Sequence, residues 1–178
     1  LATISFVDFH VGRLLKALKE SEHADNTIIV LWGDHGWHLG EKQHWRKHAL
    51  WETTTRTTLI ISAPEQSAKN KLCQSPVSLI DVYTTIVQLC NLPVRNGLDG
   101  QSIVPLLQNP NRKWDRPVLT TFGKGNHAVR TKRRRYIRYH DGGEELYDHD
   151  ADPKEWTNLA KLSRHSSLIE RLRKTIPK

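Results

Sequence analysis

Methionine is absent from the 178-residue sequence, which begins at Leu1. Because translation starts at methionine, we expect the sequence to be the C-terminal portion of a longer protein. No stretch approaches the roughly 18 to 20 consecutive apolar residues of a membrane-spanning helix, so no membrane span is predicted. No signal peptide is visible, but a truncated N-terminus would have lost one, so this absence says nothing about secretion.

Cysteine is scarce as well, with Cys73 and Cys90 as its two examples. Two cysteines without metal-ligand spacing exclude a disulfide scaffold and a zinc ribbon. We interpret both as small core residues, and a single bridge between them stays open. A chain of this length can bury one hydrophobic core, so fold and function must depend on packing and on other side chains.

Acidic residues are few relative to basic ones: 19 Asp and Glu stand against 27 Lys and Arg, a formal net charge of +8. Much of the excess lies between Arg130 and Tyr139, among aromatic residues. Such a run is compatible with nucleic-acid binding, but its alternation is typical of an antiparallel strand with one solvated cationic face. We favour the strand and expect no nucleic-acid partner, although a sulfated polysaccharide would be attracted to the same face.

An apolar run, Ile28–Trp32, stops at an acid and an imidazole, Asp34 and His35. The run predicts a strand buried on both faces, as in a parallel sheet covered by helices, and ligands bind at the carboxyl ends of such strands. Gly33 and Gly36 allow the chain to turn there, so both side chains can converge on one divalent cation. The alternative for an isolated pair is that Asp34 caps a loop and His35 makes a supporting hydrogen bond.

Hydrophobic periodicity predicts the remaining elements. Apolar residues recur every three or four positions in the opening segment, as in an amphipathic helix that packs on a sheet, at Ile4, Val7, Val11, Leu14 and Leu18. A second buried strand, a helix, four short strands and a final helix follow, at residues 57–63, 78–89, 118–122, 128–131, 135–139, 145–147 and about 165–175. The spacing of His44 and His48 would suit zinc on a helix, but nothing completes that set, so we interpret them, like His38, as pocket lining or surface.

Several motifs in order along the chain carry a family resemblance. They are Asp34-His35-Gly36, Leu39-Gly40-Glu41, Trp45, Lys47, Glu52, Arg56 and Leu59-Ile60-Ile61, then Leu79 to Ile86, Leu98 to Ser102, Glu145 to Asp148, Asp152-Pro153 and Glu155 to Leu159. Together they resemble sulfatases of the alkaline phosphatase superfamily, in an iduronate-2-sulfatase-like form. The first block is similar to the second metal-binding and sulfate-binding block of that family.

The resemblance implies an α/β fold: part of a mixed, mostly parallel sheet flanked by helices, followed by a small antiparallel C-terminal sheet with a terminal helix. Residues 1–110 would be the C-terminal part of the catalytic α/β domain, and 111–178 a small C-terminal α+β subdomain. A parallel sheet divided in this way exposes an edge and an apolar face, so we expect self-association or poor solubility of this chain by itself.

The resemblance also assigns roles to residues. Asp34 corresponds to a calcium ligand, and His35 to a second ligand or a contact to the sulfate ester. Lys47 corresponds to a lysine that contacts a sulfate oxygen, where an ammonium group stabilises charge on the transferring group. His127, expected in a loop with Gly125, is a candidate contact to substrate or leaving group.

The formylglycine motif of sulfatases, C/S-x-P/A-x-R, does not occur in this sequence; the segment from Cys90 to Arg95 has one residue too many before its proline. We therefore expect the C-terminal portion of a calcium-dependent sulfatase that hydrolyses sulfate esters, of sulfated carbohydrates in particular, and is inactive alone. The nucleophile and the other calcium ligands would come from the N-terminal part. The resemblance implies a periplasmic, lysosomal or secreted location. The alternatives are a phosphodiesterase or phosphonate hydrolase of the same superfamily and a non-catalytic, basic polyanion-binding remnant.

Overall fold

The structure is a computed structural model and describes residues 1–177. The first part of the chain contains α1 (Ala2–Lys19), β1 (Ile29–Trp32), β2 (His38–Leu39), β3 (Trp45–Arg46), α2 (Glu52–Thr55), β4 (Leu59–Ser62), α3 (Asp81–Leu89) and α4 (Val104–Gln108). The second part contains β5 (Val118–Thr121), β6 (His127–Arg130), β7 (Arg134–Arg138), β8 (Glu144–Asp148) and α5 (Ser166–Arg173). These elements confirm the predicted α/β class, with a small antiparallel sheet and a helix at the C-terminal end.

Strands β1 and β4 pair with each other in antiparallel register, with Ile29 opposite Ser62 and Trp32 opposite Leu59. Both strands were predicted, but burial on two faces is wrong for this chain, since the side chain of Trp32 is 53% exposed. Every strand pair within residues 1–177 is antiparallel. The parallel neighbours of a mostly parallel sheet stay a prediction for polypeptide outside these residues.

A buried aspartate fixes the start of α3. Asp81 is fully buried, and its carboxylate accepts the backbone N–H groups of Ser78 and Gln101. Arg116 forms a two-pronged ion pair with the same carboxylate, at 2.8 and 3.0 Å. Asp81 therefore both neutralises Arg116 and stabilises the N-terminal end of the helix. These two roles explain why an acidic residue occurs at that point of the motif in residues 79–86.

The C-terminal sheet has the order β5-β6-β7-β8, as expected for successive hairpins. Its central strands carry the hydrophobic core: Tyr136, Ile137 and Leu146 are fully buried. One face packs against α5 through Ile169 and Leu172. The opposite face packs against the first part of the chain, in a cluster of Leu50, Ala128, Ile137 and Tyr147.

The basic run forms the predicted strand β7, but the expectation of a solvated cationic face is wrong for most of it. Arg135 is 2% exposed, whereas Arg138 is exposed. Arg133 and Arg134 both pair with Asp148, at 2.7 and 2.5 Å. Because the sheet is covered on both faces, Arg134 and Arg135 are neutralised by carboxylates, whereas Lys132, Arg133 and Arg138 remain exposed.

An ion network joins the two parts of the chain. Arg135 donates to the carboxylates of Glu52 and Glu155 and to the carbonyl of Leu50, the bonds to Glu155 and Leu50 measuring 2.7 and 2.9 Å. Arg130 donates to Glu52 at 3.0 Å. Glu155 also accepts the backbone N–H of Glu52 at 2.8 Å. The proposed boundary near residue 110 therefore separates two regions that share a buried network and a core cluster.

A broad apolar surface lies at the N-terminal end. Helix α1 has no buried residue, and Ile4, Phe6 and Phe9 are each more than 60% exposed. The helix was predicted correctly, but its packing on the sheet is not found among the described residues. An apolar surface of this extent is typical of an interface.

Two smaller predictions concern the cysteines and the membrane. Cys73 and Cys90 are both free thiols, so no bridge joins them, and Cys90 is exposed at the end of α3 where a core position was expected. Among residues 1–177, every helix is too short or too polar to cross a lipid bilayer.

The ion network gives a test of stability. In Arg135→Leu, the carboxylate of Glu155, 1% exposed, loses its main cationic partner. We expect the free energy of unfolding to fall by about 3 kcal/mol or more, because a buried charge is left uncompensated. Urea denaturation measures it. The control is Arg138→Leu on the same strand but exposed, which should change stability by less than about 0.5 kcal/mol; equal losses in both variants would contradict the role of the network.

The apolar surface gives a test of association. Val7 and Leu14 lie on one side of α1 and are 53% and 72% exposed. We expect the 178-residue chain to self-associate, and the double variant Val7→Lys/Leu14→Lys to shift its sedimentation towards the monomer. Lys16→Gln, on the opposite side of the helix, is the control. A monodisperse, cooperatively melting wild-type monomer would contradict the expectation.

Candidate functional site

Two glycines in the turn after β1 lie very close to atoms of the segment from Thr53 to Thr57. A Cβ atom at Gly36 would lie 1.9 Å from the carbonyl oxygen of Thr53, and one at Gly33 would lie 2.4 Å from the hydroxyl oxygen of Thr57. The N–H of Gly36 donates to the carbonyl of Thr54 at 2.7 Å. Glycine is therefore required at position 36, where the obstacle is backbone, whereas a side chain at position 33 would displace the Thr57 hydroxyl; the turn that carries Asp34 and His35 rests directly on α2.

The turn brings three of the predicted site residues together. The Nε2 atom of His35 lies 3.2 Å from a carboxylate oxygen of Asp34 and 2.9 Å from the Nζ atom of Lys47. The side chain of Asp34 is 80% exposed and that of His35 29% exposed. An acid, an imidazole and an ammonium thus share one accessible point at the end of a strand, as the sequence predicted.

The hydrogen bonds of His35 indicate its tautomer. Its Nδ1 atom lies 2.8 Å from the carbonyl oxygen of Gly36. A carbonyl can only accept, so Nδ1 carries the proton and Nε2 presents a lone pair. That lone pair accepts from the ammonium group of Lys47. If His35 only supported the loop, its Nδ1 contact to Gly36 would be explained. That role would not explain why its Nε2 atom faces the open side of the turn beside Asp34.

The backbone around Lys47 is irregular and held in place. Its neighbours Arg46 and His48 have φ angles of 75° and 73°, in the left-handed region. The Nε2–H of His44 donates to the carbonyl of Lys47 at 3.0 Å. Side chains other than glycine adopt such angles at a cost, and they cluster at functional sites. The kinked loop directs the lysine side chain towards His35.

The structure places His127 elsewhere. It is the first residue of β6, opposite Thr121 and Arg138, so its expected position in a loop is wrong. Its Nδ1 atom lies 2.9 Å from the hydroxyl of Thr121. Within the part of the chain that the structure describes, no hydrogen bond joins it to Asp34, His35 or Lys47. A role for His127 at the substrate stays a prediction.

Two donors suit one divalent cation. The Nε2 atom of His35 and the adjacent Asp34 oxygen are close enough to coordinate the same ion, provided that the flexible Lys47 ammonium, which now donates to Nε2, moves away. Carboxylate oxygen and neutral imidazole are ligands of several divalent metals. Two ligands are too few for a complete site, so additional ones must come from outside this turn.

A second group of potential ligands is unsuitable. The ligand atoms of Glu52, His149 and Glu155 lie within 4.8 Å of one another. However, Arg130 and Arg135 already neutralise both carboxylates, and His149 bonds to Glu155 at 2.7 Å. A cation would sit beside two guanidinium groups, which repel it. The group is a structural ion network, and sequence reasoning missed it because none of its partners is close in sequence.

The other histidines of this region do not form the helical pair considered for zinc. His44 precedes β3 and His48 follows it, so they share no helical face. His38 is fully buried, and its ring packs edge-on against His44 and Trp51 at 5.0 and 5.8 Å. Desolvation by burial lowers the pKa of His38, so it is a neutral core residue, and its prediction as pocket lining or surface is wrong.

Comparison with known proteins agrees with this geometry. The family model described as Sulfatase matches residues 1–92, and a sulfatase of Formosa agariphila is 44% identical over the entire chain. The chain belongs to the sulfatase family, as its motifs predicted. It spans only 35% of the length of the Formosa protein, so the activity of the whole protein is a matter for proposal.

Two solved structures have the same fold. One, in complex with its substrate D-glucosamine-2-N,6-O-disulfate, is 27% identical, covers 98% of this chain and 38% of its own, and has a TM-score of 0.82. The other is a phosphonate monoester hydrolase from Silicibacter pomeroyi, 26% identical, with 95% and 37% coverage and a TM-score of 0.82. The fold thus accommodates both sulfate-ester and phosphonate chemistry, the two enzymatic alternatives that the sequence raised.

The ion network predicts a pH dependence of stability. Burial alone would raise the pKa of Glu52, but the hydrogen bond from Arg130 and the charge of Arg135 lower it to about 2. Because the folded-state pKa lies below the ordinary value, the ionised carboxylate stabilises the fold above about pH 4.5, and this contribution is lost as the pH falls towards 2.

The variant Glu52→Gln isolates this effect. We expect its deficit in unfolding free energy, relative to wild type, to be larger near neutral pH than near pH 2 by roughly 3 kcal/mol. Urea denaturation across the pH range measures it. The control is the exposed Glu65→Gln, whose profile should follow that of wild type. A deficit that is independent of pH would show that the low pKa is not what stabilises the fold.

Proposed function

We propose that this chain supplies the sulfate-contacting and part of the metal-binding surface of a sulfatase that hydrolyses sulfate esters of carbohydrates. The observation that carries the proposal is the convergence of Asp34, His35 and Lys47, at 2.9 and 3.2 Å, on the open side of the turn after β1. In the proposed enzyme, Asp34 and His35 are ligands of a divalent cation, calcium by family resemblance. When bound, this cation polarises the sulfate ester as a Lewis acid.

Lys47 has the main electrostatic role in the proposal. Its ammonium group is held beside His35 and does not pair with a carboxylate among the described residues. It is therefore available to bind an anionic oxygen, and charge that develops on the transferring group or the departing oxygen strengthens that contact. Exchange of the His35 contact for a sulfate oxygen requires only movement of the flexible lysine side chain.

The nucleophile is proposed to lie outside these residues. The 178 residues contain no formylglycine motif, and the site has two donors where a calcium ion takes about six to eight oxygens. We therefore propose that the chain alone is inactive, and that further polypeptide provides the nucleophile and the other ligands. The exposed apolar surface of α1 and β1 supports this, since a covering segment would bury it. A periplasmic, lysosomal or secreted location belongs to the same proposal.

Phosphonate hydrolysis is the competing function, favoured by the structural likeness to a phosphonate monoester hydrolase. Asp34 and His35 could bind a metal ion in either enzyme, so they do not distinguish sulfate-ester hydrolysis from phosphonate hydrolysis. A sulfated sugar is supported by the likeness to the protein solved with a glucosamine disulfate. A non-catalytic role as a basic polyanion-binding module receives less support, because Arg134 and Arg135 of β7 are paired with carboxylates.

Removal of Lys47 tests the proposal. In the full-length protein that contains these residues, Lys47→Ala should lower kcat/KM for an aryl sulfate by about 100- to 1000-fold, the usual loss for one group that stabilises transition-state charge. Lys161→Ala, an exposed lysine of the C-terminal part, is the control and should retain activity. Steady-state rates with an aryl sulfate and a phosphonate monoester, in parallel, distinguish the two reactions.

Two further results decide the metal and the completeness of the site. Chelation should abolish activity and calcium should restore it, whereas restoration by another divalent ion alone would overturn the calcium assignment. The isolated 178-residue chain should release no sulfate. Hydrolysis by that chain, or an unaffected Lys47→Ala enzyme, would refute the assignment of roles made here.

A further inference from the structure

A cavity of about 310 Å³ opens between the first part of the chain and the C-terminal sheet. Small-molecule sites begin at about this size. Three segments enclose it: the stretch that follows β2, the turn between β5 and β6, and the turn between β7 and β8. The side chains used below are those of His48, Trp51, Phe122, Asn126, Tyr139 and His140.

The two turns are firmly built. The first is closed by the bond from the N–H of Phe122 to the carbonyl of Asn126, at 3.1 Å, and the second by that from Tyr139 to Gly143, at 2.9 Å. They also join each other, because the side-chain oxygen of Asn126 accepts the backbone N–H of His140 at 3.1 Å. The cavity wall is therefore pre-organised, which reduces the entropic cost of binding.

Aromatic rings form much of the wall, and one carboxylate orients two of them. Glu145 accepts the indole N–H of Trp51 at 2.7 Å and the hydroxyl of Tyr139 at 3.2 Å. On the other side, the rings of His48 and Phe122 lie 5.3 Å apart. Phe122 is 45% exposed, so nearly half of its surface stays open to a ligand beside the ring of His48.

Polar groups occur at the rim between these rings. The amide of Asn126, the imidazole of His140 and the carboxylate of Asp141 line the same cavity. Asn126 is already bonded within the turns, and so is one oxygen of Asp141, which leaves the other Asp141 oxygen and the Nε2 atom of His140 for a ligand at this edge. The cavity thus combines flat apolar faces with hydrogen-bonding groups, and a pyranose ring has the matching chemistry: apolar C–H faces and a rim of hydroxyl groups.

Other ligand classes fit less well. No lysine or arginine lines the cavity, so a free sulfate or phosphate would meet imidazoles but no permanently cationic side chain. A metal ion is also unsuitable, since among residues 1–177 no three ligand atoms of this cavity lie within 4.8 Å of one another. The observations therefore favour a neutral, amphipathic ring.

We propose that this cavity binds a pyranose ring of the carbohydrate. The proposal deepens the proposed function and rests on it for the link to a sulfated substrate. His44 provides that link: it lines the cavity while its Nε2–H supports the carbonyl of Lys47 at 3.0 Å. A sugar in the cavity would therefore lie beside the loop that directs Lys47 towards the sulfate.

The indole N–H of Trp51 is the reporter for the test, because it lies in the wall and its bond to Glu145 gives it a distinct NMR environment. The full-length protein that contains these residues, labelled with ¹⁵N at tryptophan, is titrated with unsulfated N-acetylglucosamine and, separately, with inorganic sulfate. The variant Trp51→Phe assigns the signal. We expect the sugar to shift this resonance with a millimolar Kd, and sulfate to leave it unchanged.

Substitution of the exposed ring defines the site. Phe122→Ala should weaken sugar binding about fivefold or more, and Phe122→Leu should weaken it too, because it retains bulk but loses the aromatic face. The control, Phe9→Ala, removes a ring on α1 that is even more exposed, at 64%, and should have no effect. The dispersion of the amide spectrum verifies that each variant is folded.

Two outcomes would overturn the proposal: no shift at Trp51 with the sugar, or equal affinity in wild type and Phe122→Ala. A shift with inorganic sulfate alone would identify an anion site instead. The result is separable from the proposed function, because binding of an unsulfated sugar needs neither Lys47 nor hydrolysis. Hydrolysis can therefore be absent while the sugar still binds in the cavity, and sugar binding can be absent while hydrolysis is observed.

Discussion

The contact of Arg135 with Glu52 and Glu155 is the constraint on which the rest of the structure depends. The three side chains are distant in sequence, and two of them are almost completely buried, at 2% and 1% exposure. Removal of a charge from water is costly, and here the cost is offset only because each group has several partners. Arg135 uses its guanidinium on two carboxylates and one carbonyl, which fixes β7, α2 and the segment of Glu155 relative to each other.

The same constraint extends to the proposed sulfate site. Glu52 is the first residue of α2, and the carbonyl of Thr54 in that helix accepts the N–H of Gly36. The turn with Asp34 and His35 therefore rests on a helix that the ion network holds. The segment of His44 and Trp51 ends at the same helix and forms one wall of the cavity. A single one-turn helix thus positions both the candidate metal ligands and the proposed carbohydrate pocket. The ion network that holds this helix is itself part of neither site.

Local signals in the sequence were sufficient for the elements and for the turn after β1. Periodicity predicts α1 and α3, turn-forming residues predict the C-terminal hairpins, and two glycines beside Asp34 and His35 predict a turn that both side chains share. The burial of side chains and their ion-pair partners were harder to predict from the sequence, because both depend on residues that are distant along the chain. Arg135 looks like one cation of a solvated strand until Glu52 and Glu155 are brought to it, and His127 looks like a loop residue because strand β6 starts earlier than its apolar part.

The exposure of α1 and the small number of candidate metal ligands have one physical origin. A strand end can present a reactive pair only if the strand is fixed, and β1 is fixed on one side alone, by its antiparallel partner β4. Its apolar residue Trp32 and those of α1 remain in contact with water. A polypeptide that covered these residues would bury apolar surface next to Asp34 and His35, and would reach the open side of the turn where further ligands are needed. The stability of the fold and the completeness of the active site would then depend on the same interface. In the proposed enzyme, loss of that interface would therefore destabilise the fold and abolish activity together.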